Sequence, residues 1–209
     1  MQGPPSAAGV RDGNPAPADG AGGYRDRLIA AMALLLAEKG YGTVTIADIA
    51  RHARVSKRTF YEHFATKEGC FIACYETLSE IALQSIAAAT SVEGPWQKRA
   101  RAATRAYLST LESQPALTRT LMMDIYAAGP EAFRVRRAVQ RRFADYLRRA
   151  VDQGKKDHPK LRKLSPAMAT AIIGGINELV LMAVEEGRAH RLTELSGTAD
   201  ELLQAVLTS

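Results

Sequence analysis

From Tyr24 onward the apolar residues recur at helical spacing with hardly a break, and this periodicity constrains the fold more than any other feature of the chain. Leu28, Met32, Leu35 and Leu36 set the pattern, and Gly40 supplies a left-handed stop. Thr45 with Asp48 three residues on forms a capping box, which predicts a short helix from Ile46 to about Ala53. Ser56 caps a third helix from Lys57 to about His63, and Thr66 a fourth from Lys67 to about Ala89. Pro95, Pro115, Pro130 and Pro166 each stand where a helix would begin, a position that needs no backbone N–H. Gly129 and Gly187 read as stops, and Thr198 with Glu201 predicts a capping box for a last helix ending near Leu207. No alternating apolar–polar run of strand length appears. The expected fold is all-α, with about nine helices: three between residues 24 and 64, then longer ones forming a bundle.

Residues 1–23 differ from the rest. They hold six Gly, four Pro and five Ala, and only Met1 and Val10 could fill a core. Too little apolar surface is available there to offset the entropy of ordering, so a disordered tail is expected. Met1 to Asp12 lacks the basic-then-apolar layout of a secretory signal, and no apolar run comes near the ~18–20 residues of a membrane span, so the chain is expected in the cytoplasm with no membrane partner. Cys70 and Cys74 are the only cysteines, which excludes a disulfide-stapled scaffold.

The stretch that carries chemistry runs from Thr45 to Phe71. Ile46, Ile49 and Ala50 put an apolar stripe on the second helix, and Phe60 and Phe64 lie four apart on the third. Two short helices joined by a tight turn around Arg54–Ser56 have the layout of a helix-turn-helix, whose second helix enters the major groove. The other face of that helix carries Lys57, Arg58, Thr59, Tyr61 and His63, and residues 51–58 hold four cations and no acid. Cationic and hydroxyl donors of this kind suit phosphates and base edges.

The order of these residues is more specific than their spacing. Lys39-Gly40-Tyr41, then Thr45-Ile46-x-x-Ile49-Ala50, Val55-Ser56-Lys57, and Thr59-Phe60-Tyr61-x-His63-Phe64-x-x-Lys67-Glu68 closely resemble the TetR family of bacterial transcriptional regulators. The resemblance covers residues 24 to about 72, and residues 73–209 match only in helix count and length. It implies a helix-turn-helix DNA-binding domain over 24–69 and a helical ligand-binding and dimerisation domain over 70–209. It further implies a homodimer on a roughly palindromic double-stranded operator, mostly acting as a repressor, and released when a small-molecule effector enters the larger domain. Carried over by position, Thr45 would meet a phosphate, Ser56 would cap the reading helix, and Lys57, Arg58 and Thr59 would face base edges. Tyr61, His63 and Lys67 would hold the DNA backbone. The turn departs from the family pattern, with Arg54 where glycine is usual; a left-handed residue there would cost about 1–2 kcal/mol.

Outside this segment the residues say less. Cys70 and Cys74 lie i,i+4 on one helix, an awkward pair for a disulfide, and read as core. The four histidines show no metal-ligand spacing, and no nucleophile–base set, P-loop or dinucleotide fingerprint is present, so neither metal, cofactor nor catalytic residue is assigned. Gly174-Gly175 inside a helical run suggests close helix packing. Met123, Tyr126 and Phe143 are the candidates for an effector pocket, because flexible thioethers and amphipathic rings suit adaptable cavities. Residues 166–186 are apolar on more than one face, which marks Ile172, Ile176, Leu179 and Val180 as candidates for the dimer surface.

The net charge of +6 is unevenly divided. Residues 24–67 hold +4 and residues 131–163 hold +8, so the largest basic excess lies outside the reading head. A solvated face of a bundle helix is the ordinary reading of that excess; an anionic effector or non-specific nucleic-acid contact is the functional one. Two other classes compete with the regulator: an enzyme on a helical bundle, which lacks a catalytic set, and a DNA-binding adaptor whose larger domain recruits a protein.

Overall fold

The computed structural model of the protein describes residues 21–91 and 94–208. Nine α-helices and one 3₁₀ turn, and no strand, occur among the described residues. They are α1 (Ala21–Thr43), α2 (Ile46–His52), α3 (Lys57–His63), α4 (Lys67–Thr90), α5 (Trp96–Glu112), α6 (Pro115–Asp124), α7 (Pro130–Gly154), α8 (Pro166–Glu185), the turn Leu192–Leu195, and α9 (Ser196–Leu207).

Local chemistry sets most of these boundaries. Thr45 and Asp48 form the reciprocal capping box, and the hydroxyls of Ser56, Thr66 and Ser165 accept from Thr59, Gly69 and Met168 N–H groups at the starts of α3, α4 and α8. Pro115, Pro130 and Pro166 open their helices, whereas Pro95 is the capping residue one place earlier. Gly40 breaks α1 at φ 73°, and one further turn carries the helix to Thr43. The first helix begins at Ala21 rather than Tyr24, and residues 1–20 of the expected tail lie outside the described residues. The Thr198–Glu201 capping box does not form. The 3₁₀ turn runs directly into α9 at Ser196, so Thr198 is already inside the helix and the capping residue, Leu195, is helical.

Three regions of core result, the smallest around Leu108, Val180 and Leu192 where α5 and α8 meet the 3₁₀ turn. Under the head, Leu28, Met32, Leu35 and Leu36 of α1 pack with Ile49, Phe60 and Phe71, and the same cluster continues through Leu117 and Ile125 to Ala132. Each such side chain, fully buried, contributes about 1.5–3 kcal/mol. Cys70 and Cys74 are buried in this cluster as free thiols, and burial pushes both up to about 12, so they are inert packing residues. In the bundle, α5, α7, α8 and α9 enclose a second core around Trp96, Val151, Ile172 and Leu207.

The sequence reading of α8 needs a correction. This helix has 20 residues with a mean hydropathy of 1.8 and is long and apolar enough to cross a membrane by length and composition. One face packs in the bundle through Ala169, Ile172, Ile176, Val180 and Ala183, while Met168 and Met182 on the opposite side are exposed.

Candidate nucleic-acid interface and ligand cavities

The head is built around the turn between α2 and α3. Ala53 ends α2, Arg54 takes φ +52°, and Val55 N donates to Ala50 O (2.9 Å) while Arg54 N donates to Arg51 O (3.1 Å). This pairing is a Schellman motif with arginine at the left-handed position where glycine is favoured. Arg54 is the sole positive-φ residue other than glycine among the described residues. Arg27 of α1 helps hold it there, its guanidinium donating to the carbonyls of Ala53 and of Arg54.

The turn fixes which face of α3 meets solvent. Phe60 is completely buried, and Phe64 caps the helix at 5.9 Å from it, centroid to centroid. Lys57, Arg58 and Tyr61 are exposed, with the Tyr61 ring edge-on to Phe60 at 5.6 Å. Arg58 pairs loosely with Glu62 at 3.2 Å, a solvent-exposed contact that a phosphate or base could replace at small cost. Thr59 and Ser56 share a hydroxyl–hydroxyl bond of 3.0 Å, and His63 is half-buried in the last turn.

Thr45 and Lys67 are more committed than the sequence implied. The Thr45 hydroxyl donates to Asp48 (2.8 Å) within the capping box, and Asp48 also receives Lys39 (2.7 Å) and Arg51 (2.7 Å). The bond from Lys39, then that from Thr45, holds the Asp48 carboxyl well below the ordinary carboxylate range. The Lys67 ammonium donates to the carbonyls of Tyr41 (2.9 Å) and Val44 (3.0 Å) and lies 4.2 Å from the Tyr41 ring centre. It closes the loop between α1 and α2, and burial lowers its pKa.

Two hydrogen bonds from α6 reach the head. From α6, the buried Thr120 hydroxyl donates to Leu36 O (2.9 Å), and Asp124 accepts from Tyr41 N (2.9 Å). Both reach the C-terminal end of α1, immediately before the two reading helices.

Besides an open groove of about 330 Å³ between α4 and α7, the described residues of the bundle surround two neighbouring cavities of ligand size, about 540 and 320 Å³. The larger lies among α5, α7, α8 and α9, with Trp96, Ala100, Ala103 and Tyr107 along one wall and Arg99, Arg149 and Gln153 also on its border. The smaller lies toward the head, against Leu121, Met122 and Ile125 at α6. Tyr107, Phe143 and Asn177 border both. The Tyr107 hydroxyl donates to Asn177 Oδ1 (2.7 Å), and its ring meets Phe143 edge-on at 5.6 Å. Burial raises the Tyr107 pKa.

Of the pocket candidates, Phe143 borders both cavities and Tyr126 the smaller one. Met123 is 38% exposed and borders neither; the cavity takes its neighbour Met122, one helical step round the axis. The dimer candidates need a like correction. Ile172, Ile176 and Val180 are buried in the chain's own core, because their four-residue spacing traces the inner stripe of α8. Leu179 is half-buried and lies off that stripe, on the side of the exposed Met168 and Met182. Trp96 and Tyr107 are lining residues that sequence reasoning missed. Their signal is the run of small residues, Ala100 and Ala103, between two large aromatics on one face of α5. The basic residues of 131–163 are spread among several partners: Arg142 pairs with Glu80, Arg148 with Asp145 (3.3 Å), Arg136 stacks over Tyr126, and Arg149 borders the larger cavity.

Comparison with known proteins agrees with this architecture. Residues 28–74 match the family model of bacterial regulatory proteins of the tetR family. A curated relative, the HTH-type transcriptional activator FasR of Mycolicibacterium smegmatis, is 26% identical over 125 residues, 60% of this chain; the chain spans about half (56%) of that relative's length. Among solved structures, the fatty acid degradation regulator FadR of Bacillus halodurans superposes with a TM-score of 0.74 at 20% identity, covering 86% of this chain and 94% of its own. FadR of Bacillus subtilis in complex with stearoyl-CoA gives 0.72 at 20% identity, covering 85% and 96%. These likenesses at low identity show a shared fold, and the match over the head is to the family itself. Over residues 28–74 the chain matches the tetR family of bacterial regulatory proteins, and beyond the head its likeness to solved structures is one of fold.

Proposed function

We propose that the protein is a cytoplasmic, ligand-responsive repressor that binds a palindromic operator as a homodimer and leaves it when a long-chain acyl ligand fills the bundle. The head over residues 24–69 reads DNA, and residues 70–209 bind the ligand and the second copy. The observation that carries the reading is the α3 face: Phe60 buried beneath, Lys57, Arg58 and Tyr61 exposed above, on a turn locked by its own hydrogen bonds. Lys57, Arg58 and Thr59 face bases in this reading, Ser56 caps their helix, and Thr45, Tyr61, His63 and Lys67 hold the backbone. The acyl class is supported by the two apolar-walled cavities and by the stearoyl-CoA bound to the Bacillus subtilis relative. The outer face of α8, with Met168, Leu179 and Met182, supplies apolar surface for a two-fold contact.

Titration of duplexes enriched from random sequence by the protein tests this reading. Arg58→Ala is expected to relax base preference, losing about 1–3 kcal/mol of discrimination at one position. Tyr61→Phe and Lys67→Ala are expected to weaken all duplexes alike. Unchanged binding in all three would overturn the assignment. A reporter behind the enriched site should fall when the protein is supplied; a rise would make the protein an activator.

A further inference from the structure

We propose that Tyr107, Phe143 and Asn177 form a gate that measures chain length: a ligand confined to the larger cavity binds without effect, and one long enough to enter the smaller cavity releases DNA. The inference rests on the acyl reading above and extends it. The three residues border both cavities, so the cavities are neighbours with this set shared between them. The gate is held shut by the 2.7 Å bond from Tyr107 to Asn177 and by the ring contact with Phe143.

The two compartments differ in chemistry. The larger one has two cations, Arg99 and Arg149, on its border against one acid, Asp157, which pairs with Arg99 at 3.5 Å and leaves Arg149 in excess. The anionic end of an amphiphile therefore belongs there. The smaller compartment has one cation and one acid, Arg136 and Glu178, and presents Leu121, Met122 and Ile125 of α6, a helix whose other side carries Thr120 and Asp124, bonded to the end of α1. A chain entering it pushes on the helix that holds the head. A short chain gains nothing beyond the gate, whereas a long one offsets the broken Tyr107–Asn177 bond by burying further methylenes.

The test separates occupancy from response. Trp96 is the chain's only tryptophan, so its emission reports the larger cavity. Saturated chains from hexanoyl to stearoyl are titrated into the full chain, as CoA thioesters in one arm and free carboxylates in the other, which distinguishes the two sources of anionic end. Affinity for an enriched duplex is measured in parallel. Short chains should shift Trp96 emission and leave DNA affinity unchanged; long chains should shift emission and lower affinity roughly 5–150-fold. Gly174 borders the smaller cavity, and a Cβ there would meet no atom within 4 Å, so Gly174→Leu adds bulk at that border from an open starting point. It should keep the emission response and lose release by long chains. Tyr107→Phe keeps the ring, loses the bond, and should move the release threshold to shorter chains. Equal release by hexanoyl and stearoyl, or wild-type release in Gly174→Leu, overturns the gate alone. Emission that no chain alters overturns the acyl reading and the gate with it.

Discussion

The head and the bundle solve opposite problems with the same secondary structure. In the head, α2 and α3 are seven residues each, far too short to persist alone, and both are started by side-chain caps and fixed on a filled core. In the bundle, α5, α6 and α7 start without a side-chain cap, and the space among the helices is left partly empty. A reading surface must arrive preformed, since any ordering on contact subtracts from affinity. A ligand chamber must be able to repack, and void is what permits it.

The largest effect that would break this contrast is a pair of truncations. Phe60→Ala removes a completely buried ring from the packed head and should cost about 3–5 kcal/mol in denaturant unfolding. Phe143→Ala removes a ring that already borders two cavities, where lost contacts are fewer, and should fall below that range. Equal costs would mean that the bundle is packed as tightly as the head. Next comes the tie between the two regions. Thr120→Val keeps the shape but removes the side-chain donor to Leu36 O, a loss of about 0.5–1.5 kcal/mol. Hydrogen exchange at the end of α1 should rise in this variant, and no change there would show that the head does not depend on α6.

Arg54→Gly should act in the other direction. The residue sits at φ +52°, so relief of left-handed strain should raise stability by about 1 kcal/mol. If Arg54 also meets a phosphate, the same change should lower the salt slope of DNA binding by about one unit. A stabilised variant with an unaltered slope would make the arginine a strained residue compensated by Arg27 alone.

The contrast also explains what could be read from the chain. The caps at Thr45, Ser56 and Thr66 are written in adjacent residues, so α2, α3 and α4 were legible to within a residue or two. The all-α class followed from periodicity in the same way. The cavities were not legible, because a void is made by residues that are far apart in sequence: Trp96, Tyr107, Phe143 and Asn177 come from three helices. Met123 and Met122 differ by one step round α6, which no local pattern resolves without knowing which way the helix faces. On α8, apolar residues cover both sides, so composition alone could not separate the inner stripe at Ile172, Ile176 and Val180 from the outer one at Met168 and Met182.

The smallest expected effect concerns pH and separates the head's capping from its packing. Asp48 has its pKa lowered in the fold, first by the bond from Lys39 and then by that from Thr45. A depressed carboxylate stabilises the fold fully above its unfolded value, about 3.9, and that contribution is lost as pH falls through the lower folded value. The group is at the surface, so the effect is modest and screened by salt. Asp48→Asn keeps an oxygen for the cap but removes the charge that Lys39 and Arg51 share. The difference in melting temperature between wild type and this variant should therefore stay level from neutral pH to about 4 and shrink below it. High salt should reduce the difference at neutral pH. A difference that persists undiminished in acid would assign the stabilisation to the shape of the capping box, and the head would owe its order to hydrogen-bond geometry without a contribution from charge.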